Sequence, residues 1–302
     1  MMHSYGPPKN LGRDTVVTIG KFDGLHIGHR EIISHLKETA KQQNLAAALI
    51  SFYPHPAAVL NKKPISLLLS PQEKKEQLEQ LGIDVYAEYH FNQEFSQILP
   101  ERFIADIIVK EMRARILIVG EEYRFGKDRA GDIGYARRVG EPLGLSVISL
   151  AHIQDADSRK ISSNSIRQAI ASGDLKLAKE MMQQDFFVSG PVIHGAELGK
   201  KIGFPTANIL PYKDKLLPPN GVYKTQTHIR EHIYASVTNI GTKPTFGGKV
   251  VGIESHLLDF NKDVYGENIR IDFLEYLRPE MKFAGVDELK AQMAQDIEAA
   301  KR

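Results

Sequence analysis

The chain has 302 residues, enough for two domains of ordinary size, and its 42% hydrophobic and 25% charged residues are typical of a globular protein. The 39 Lys and Arg residues against 37 Asp and Glu residues leave a net charge of +2, which gives no whole-protein attraction for nucleic acid. The absence of cysteine excludes disulfides, thiolate metal sites and cysteine nucleophiles.

The apolar runs are all shorter than the roughly 20 residues that a membrane helix requires. The first eight residues, Met-Met-His-Ser-Tyr-Gly-Pro-Pro, lack the apolar core of a signal peptide. We therefore expect no membrane or nucleic-acid partner and a cytoplasmic location.

The first half of the chain alternates strand-like and helix-like segments, which favours an α/β fold with a parallel sheet and helices on its faces. Strands are predicted at 16–20, 46–52, 85–89, 116–119 and 145–150, and helices at 30–43, 71–81, 100–112 and 163–172.

The first predicted strand and helix are joined by the segment Thr-Ile-Gly-Lys-Phe-Asp-Gly-Leu-His-Ile-Gly-His, residues 18–29. The first amides of a helix lack internal partners and carry the positive end of the helix dipole, so this junction attracts anions. His26 and His29, three residues apart, lie on nearly the same side of the turn and can donate to phosphoryl oxygens. Gly24 and Gly28 allow close approach to the backbone. The segment predicts a nucleotide-phosphate site.

After residue 182 the pattern changes to period-two strands separated by Gly, Pro and Asn, which predicts a mostly antiparallel closed barrel. We therefore expect one domain over residues 1–183 and a second over 184–302. Strands are predicted at 187–194, 221–229, 232–240, 250–260 and 268–276, followed by a helix at 286–301.

The second half offers a different phosphate site, because the chain has no P-loop there. The backbone between Gly199 and Gly203 can surround phosphates, with Lys201 beside it. Thr206 and Asn208 offer the hard oxygen ligands that Mg²⁺ prefers.

Alternation in the predicted strand at 250–260 separates two sets of side chains. Glu254 and His256 lie on one face, while Ile253, Ser255 and Leu257 share the other. If the second set packs into the core, Glu254 faces a site; we expect His256 to be structural.

The 18–29 segment resembles the signature of the HxGH nucleotidyltransferases, relatives of class I aminoacyl-tRNA synthetases. Within that superfamily the chain is similar, over essentially its whole length, to the bacterial bifunctional riboflavin kinase/FAD synthetases. The further segments that carry this resemblance, in the expected order, are 51–56, 119–127, 161–167 and 198–208.

The resemblance implies a Rossmann-like HxGH nucleotidyltransferase domain followed by a riboflavin kinase β-barrel with a C-terminal helix. It implies that riboflavin is phosphorylated by ATP to FMN and that FMN is adenylylated by a second ATP to FAD and pyrophosphate, with Mg²⁺ as cofactor. In the first domain, His26 and His29 would bind the triphosphate, and Ser162, Ser163 and Arg167 the pyrophosphate. The remaining nucleotide-binding positions there would be Gly20, Phe22, Asp23, Gly24 and Gly28.

In the second domain the resemblance assigns Thr206 and Asn208 to magnesium and nucleotide, and Glu254 to accepting the proton of the ribityl 5′-hydroxyl. Gly199, Lys201 and Gly203 would contact ATP, and Asn239 would shape the flavin pocket. Two positions depart from the family pattern: Asn164 stands where Thr is usual, and Glu122 where Asp or Asn is usual.

Two alternatives stay open at this point. One is a flavin-binding regulatory protein that has kept only one activity. The other is a different small-molecule adenylyltransferase fused to an unrelated barrel.

Overall fold

The computed structural model describes residues 1–151, 161–195, 199, 202–245 and 248–301; side chains at 243–245 and 248–250 are outside this description. The chain divides into two compact units, Met1–Ser163 and Asn164–Arg302.

The first unit is built on a six-stranded sheet in which every neighbouring pair of strands is parallel, as predicted. The strand order is β1-β4-β3-β2-β5-β6. The strands are β1 (Met2–Tyr5), β2 (Thr15–Ile19), β3 (Ala46–Tyr53), β4 (Val85–His90), β5 (Ala114–Gly120) and β6 (Ser146–Leu150).

Helices connect these strands. They are α1 (Ile27–Gln43), α2 (Pro56–Asn61), α3 (Pro71–Gln80), α4 (Gln93–Ser96), α5 (Pro100–Arg102), which continues as a π-helix over Phe103–Glu111, and α6 (Ile133–Gly140), with 3-10 turns at Lys127–Arg129 and Glu141–Leu143.

Two features of this unit differ from the prediction. Helix α1 begins at Ile27 and not at residue 30, because His26 takes the extended conformation of an N-cap and the chain is helical directly after it. Strand β1 was not predicted; it is only four residues long and forms the edge of the sheet, where it pairs in parallel with β4.

The second unit is a closed antiparallel barrel followed by a C-terminal helix, which confirms the predicted fold class. The order around the barrel is β10-β11-β8-β7-β12-β9. Its elements are α7 (Ser163–Ala171), α8 (Leu175–Met182), β7 (Phe186–Ile193), β8 (Ala207–Ile209), β9 (Gly221–Ile229), β10 (His232–Thr245), β11 (Gly248–Leu257), β12 (Asn268–Arg278) and α9 (Val286–Lys301).

Sequence alternation missed β8, which has three residues and is too short for a period to register. Strand β10 extends five residues beyond the predicted end at 240, and β11 stops at Leu257, short of the predicted 260. Helix α8 packs on β7 and β12 and so groups with the barrel. The boundary predicted between 183 and 184 stays a prediction, since the compact units divide after Ser163.

Among the described residues, no helix has the length and apolar character needed to cross a membrane.

Candidate active sites

The turn between β2 and α1 is a tight loop with backbone conformations that favour glycine. Phe22 and Leu25 have φ values of 48° and 43°, and Gly24 has φ of 88°. A Cβ on Gly24 would lie 2.6 Å from Leu68 Cδ1, and one on Gly20 would lie 3.0 Å from the Phe22 ring. The two glycines therefore allow the loop to fold against its own neighbours.

Asp23 ties this turn to two other segments. Its carboxylate accepts hydrogen bonds from the backbone amides of Leu68 (2.9 Å) and Leu69 (3.2 Å). Its carbonyl oxygen accepts one from the Ser163 hydroxyl at 2.8 Å. Asp23 is thus a buried organising residue, and it brings Ser163 to the histidine turn.

The two histidines stack on each other at the start of α1. Their ring centroids are 3.8 Å apart, and the Phe22 ring lies 4.8 Å from that of His29. A Cβ on Gly28 would lie 3.3 Å from the His26 ring, so this glycine makes room for the stack. The Nδ1 atoms of both histidines are buried, with no hydrogen-bond partner among the described residues. Buried polar atoms are normally paired, so these two atoms indicate a ligand-binding role for the stack.

Electrostatics keeps both imidazoles neutral. Burial lowers the pKa of His26 to about 4. Burial, then the proximity of His26 and the charges of Lys21 and Lys74, holds the pKa of His29 well below its ordinary value. At neutral pH each ring therefore carries one N–H donor and no charge, which suits contact with phosphate oxygens without a counter-ion.

These pKa shifts predict a dependence of stability on pH. Between about pH 6.5 and pH 4 the unfolded chain binds a proton at His26 that the folded chain refuses, so acidification favours unfolding by about 1.4 kcal/mol per pH unit for that residue. We expect the free energy of unfolding of the wild type to fall as pH drops from 7 to 5, and that of His26→Gln to fall less steeply. Denaturant titrations at several pH values check this; equal slopes for the two proteins would contradict it.

The other residues predicted for the first site lie around the start of α7. Arg167 donates from Nη1 to Asn164 Oδ1 at 2.8 Å, so the residue that departs from the family pattern holds the guanidinium. Ser162 directly precedes α7, and Ser163 is its first residue. Arg167 belongs to the second compact unit, and its role toward pyrophosphate stays a prediction.

Three predicted residues of the barrel stand side by side in the sheet. Glu254 of β11 is paired in register with Asn208 of β8 on one side and with Asn239 of β10 on the other. Ile253, Ser255 and Leu257 are buried, whereas Glu254 and His256 line a cavity. The alternation predicted for this strand is therefore confirmed.

The segment before β8 is held by short contacts. His256 Nδ1 lies 2.8 Å from the Pro205 carbonyl oxygen, so Nδ1 carries the ring proton, and this contact supports the structural role expected for His256. Asn208 Nδ2 donates to the Thr206 carbonyl oxygen (3.3 Å) and hydroxyl (3.4 Å). A Cβ on Gly199 would lie 2.3 Å from the Phe204 carbonyl oxygen, so only glycine fits there.

Of the two other residues predicted to bind phosphate, the structure describes Gly203 but not Lys201. Gly203 has φ of 91°, a conformation that favours glycine. Lys201 lies outside the described residues.

Two cavities meet at Thr206. One, of about 290 Å³, is lined by Glu254, Asn239 and apolar residues of α9. The other, of about 360 Å³, is lined by Val192 and by residues from 205–207 and 257–265. Thr206 borders both, so ligands in the two cavities would approach each other beside Thr206.

Sequence reasoning missed two cavity-lining residues at the end of β12 and just after it, Arg278 and Glu280. Arg278 makes a two-point ion pair with the buried Asp296 of α9, at 2.9 and 2.7 Å, which fixes the helix against the barrel. Glu280 accepts from Asn220 (3.4 Å) and lies 3.5 Å from Asn239 Nδ2. A Cβ on Gly241 would lie 2.1 Å from Glu280 Oε1. The Arg-Pro-Glu run at 278–280, placed between a strand and a helix, was the available signal.

A histidine pair at a strand-to-helix turn of a parallel sheet, joined in one chain to a barrel with a carboxylate in its cavity, defines a two-domain nucleotide-dependent transferase. The family model described as FAD synthetase matches residues 9–165, and that described as riboflavin kinase matches residues 182–302. The chain therefore belongs to the bifunctional riboflavin kinase/FMN adenylyltransferase family.

Two relatives carry the name of this family, and a solved structure shares the fold. The bifunctional riboflavin kinase/FMN adenylyltransferase of Escherichia coli K12 is 38% identical over 93% of this chain and 90% of its own length. That of Bacillus subtilis is 36% identical over 95% and 92%. A Streptococcus pneumoniae crystal structure titled macrolide-efflux protein has a TM-score of 0.87 and 29% identity, covering 100% of this chain and 99% of its own.

Proposed function

We propose that the barrel transfers the γ-phosphoryl group of ATP to riboflavin, giving FMN, and that the first unit transfers the AMP group of a second ATP to FMN, giving FAD and pyrophosphate. The family assignment supports both reactions. The single observation that carries the kinase half is the position of Glu254, which pairs with Asn208 and lines the cavity that borders Thr206.

In the kinase reaction we assign the cavity under α9 to riboflavin, because it is lined by apolar side chains such as Phe283 and Met293 that suit a flat ring system. The cavity on the far side of Thr206 is assigned to ATP. Glu254 accepts the proton of the ribityl 5′-hydroxyl as that oxygen bonds to the γ-phosphorus and the bond to ADP breaks.

The residues present fit a magnesium ion bound together with ATP. Thr206 supplies a hydroxyl and Asn208 a carboxamide, both hard oxygen donors without charge, so the phosphates provide the anionic ligands. When bound, Mg²⁺ neutralises charge on the transferring phosphoryl group. The protein's own part is to align the hydroxyl with phosphorus and to take its proton.

In the adenylyl transfer a phosphate oxygen of FMN attacks the α-phosphorus of ATP and pyrophosphate leaves, so no protein nucleophile is required. The neutral His26 and His29 donate hydrogen bonds to phosphate oxygens, and the contribution grows as negative charge develops there. Asp23 and Ser163 hold the turn that presents the histidines.

The product spectrum tests the proposal. Purified protein given riboflavin, ATP and Mg²⁺ is expected to form FMN and then FAD, separated by chromatography. A flavin-binding regulator with only one activity would either stop at FMN or leave riboflavin unchanged, and an adenylyltransferase with a different acceptor would leave FMN unchanged. Either result would overturn the proposal.

Magnesium binding gives a further prediction. Thr206→Val keeps the side-chain shape and removes the hydroxyl, so the Mg²⁺ concentration that half-saturates the kinase reaction should rise at least about tenfold. Thr206→Ser should restore it. Titration of riboflavin phosphorylation with Mg²⁺ checks this; an unchanged midpoint for Thr206→Val would remove Thr206 from the magnesium site.

A further inference from the structure

The barrel interior contains a closed ring of five buried hydroxyl groups. Its members come from three neighbouring strands: Thr225 and Thr227 from β9, Ser236 and Thr238 from β10, and Ser255 from β11. All are at most 1% exposed. The oxygen–oxygen distances around the ring are Thr225–Ser236 2.8 Å, Ser236–Thr227 2.8 Å, Thr227–Ser255 3.0 Å, Ser255–Thr238 3.0 Å and Thr238–Thr225 2.7 Å.

The ring has one proton for each link. Thr238 donates to Ser255. Because every hydroxyl has a single proton, the other four hydrogen bonds are then donated in the same direction around the ring, from Ser255 to Thr227, Ser236, Thr225 and back to Thr238. The Ser236 carbonyl oxygen, 3.0 Å from the Thr225 hydroxyl, is a second acceptor for the same proton. Hydrogen bonds arranged head to tail polarise and strengthen one another.

The ring lies directly behind the proposed kinase site. Ser255 follows Glu254 on β11, and Thr238 precedes Asn239 on β10. Successive side chains alternate between the two faces of a strand, so the two hydroxyls point into the barrel, whereas Glu254 and Asn239 line the cavity. Strand register is set by which face is buried, and directional hydroxyl links add to that preference. In the ring, Thr238 bonds its register partner Ser255, directly beside the pair that Asn239 forms with Glu254.

We infer that the five-hydroxyl ring is a positioning device for the phosphoryl transfer, which holds Glu254 at the distance and angle that the ribityl hydroxyl requires. The inference rests on the proposed kinase function of the barrel. Its members touch neither substrate; they act through the strands that carry Glu254 and Asn239.

Thr227 gives the sharpest test, because its chain neighbours Gln226 and His228 do not line the cavity under α9. Thr227→Val keeps the shape and removes two links, those to Ser236 and Ser255. We expect the kcat of riboflavin phosphorylation to fall about tenfold with the KM values for riboflavin and MgATP unchanged, since a small displacement of a catalytic group affects the chemical step. Thr227→Ser, which keeps the hydroxyl, should retain kcat within about twofold.

Two further variants keep the test decisive. Thr15→Val removes an equally buried hydroxyl bond, to Met112 in the first unit, and is expected to lower stability without lowering kinase kcat. Ser255→Ala removes a ring member with little change of volume and replaces Thr227→Val in the test if that variant does not fold. The kcat of Ser255→Ala should fall at least as much as that expected for Thr227→Val.

The measurements are initial rates at saturating substrates, at a temperature where circular dichroism shows each variant folded. Wild-type kcat in folded Thr227→Val and Ser255→Ala, or an equal loss in Thr227→Ser, would overturn the inference. Failure of the kinase proposal is distinguishable, because the wild type would then form no FMN or Glu254→Gln would remain fully active.

Discussion

Replacing Glu254 with Gln is expected to lower the kcat of riboflavin phosphorylation by about 10²- to 10⁴-fold, the usual contribution of a general base. Gln keeps the size and hydrogen-bonding capacity of the side chain and loses the ability to take a proton. Glu254 is flanked in the sheet by Asn208 and Asn239, so the neutral amide fits the same place and the barrel should stay folded.

The matched control is Glu275→Gln, the same chemical change at an exposed position of β12, which should leave both activities unchanged. Adenylylation of supplied FMN should also persist in Glu254→Gln, because it belongs to the other unit. Separate rate measurements with riboflavin and with FMN give the kinase and the adenylylation activities of each variant. Full kinase activity in Glu254→Gln would exclude it as the base.

Replacing His29 with Ala is expected to lower adenylylation of FMN by about 10²- to 10³-fold, the loss that follows removal of one preorganised donor. The substitution also removes the ring on which His26 and Phe22 pack, so the remaining imidazole loses its orientation. Riboflavin phosphorylation should be unaffected. The measurement is FAD formation from FMN and ATP.

His35→Ala is the matched control, since His35 is in the same helix but its side chain is 45% exposed and contacts Glu31, one turn before it. It should keep both activities. Equal losses in His29→Ala and His35→Ala would indicate damage to α1 in place of a role in transfer.

Much of this architecture follows from local pattern. Strand β2 is apolar or β-branched throughout and fully buried, and the chemistry at its end was readable because the glycine turn and two histidines are contiguous. In β11 a period of two was enough to separate the inward Ser255 from the outward Glu254, since alternation is a property of the strand itself.

The features that could not be predicted from the sequence are contacts between segments far apart in the chain. The pairing of Arg278 with Asp296 needs the final helix to return to the barrel. The carboxylate of Asp23, capping two amides more than 40 residues away, and the hydroxyl ring on three strands likewise exist only after folding. Single-strand alternation marks Thr225 and Ser255 as inward-facing but cannot show that they meet.

The central claim is that two separate ATP-using sites act in sequence on one flavin. The most direct measurement gives riboflavin, ATP and Mg²⁺ to Glu254→Gln, to His29→Ala, and to a mixture of the two, and follows FAD formation. Neither variant alone should form appreciable FAD, His29→Ala should accumulate FMN, and the mixture should form FAD as FMN passes from one protein to the other. Appreciable FAD from either variant alone, or none from the mixture while FMN accumulates, would contradict the two-site account.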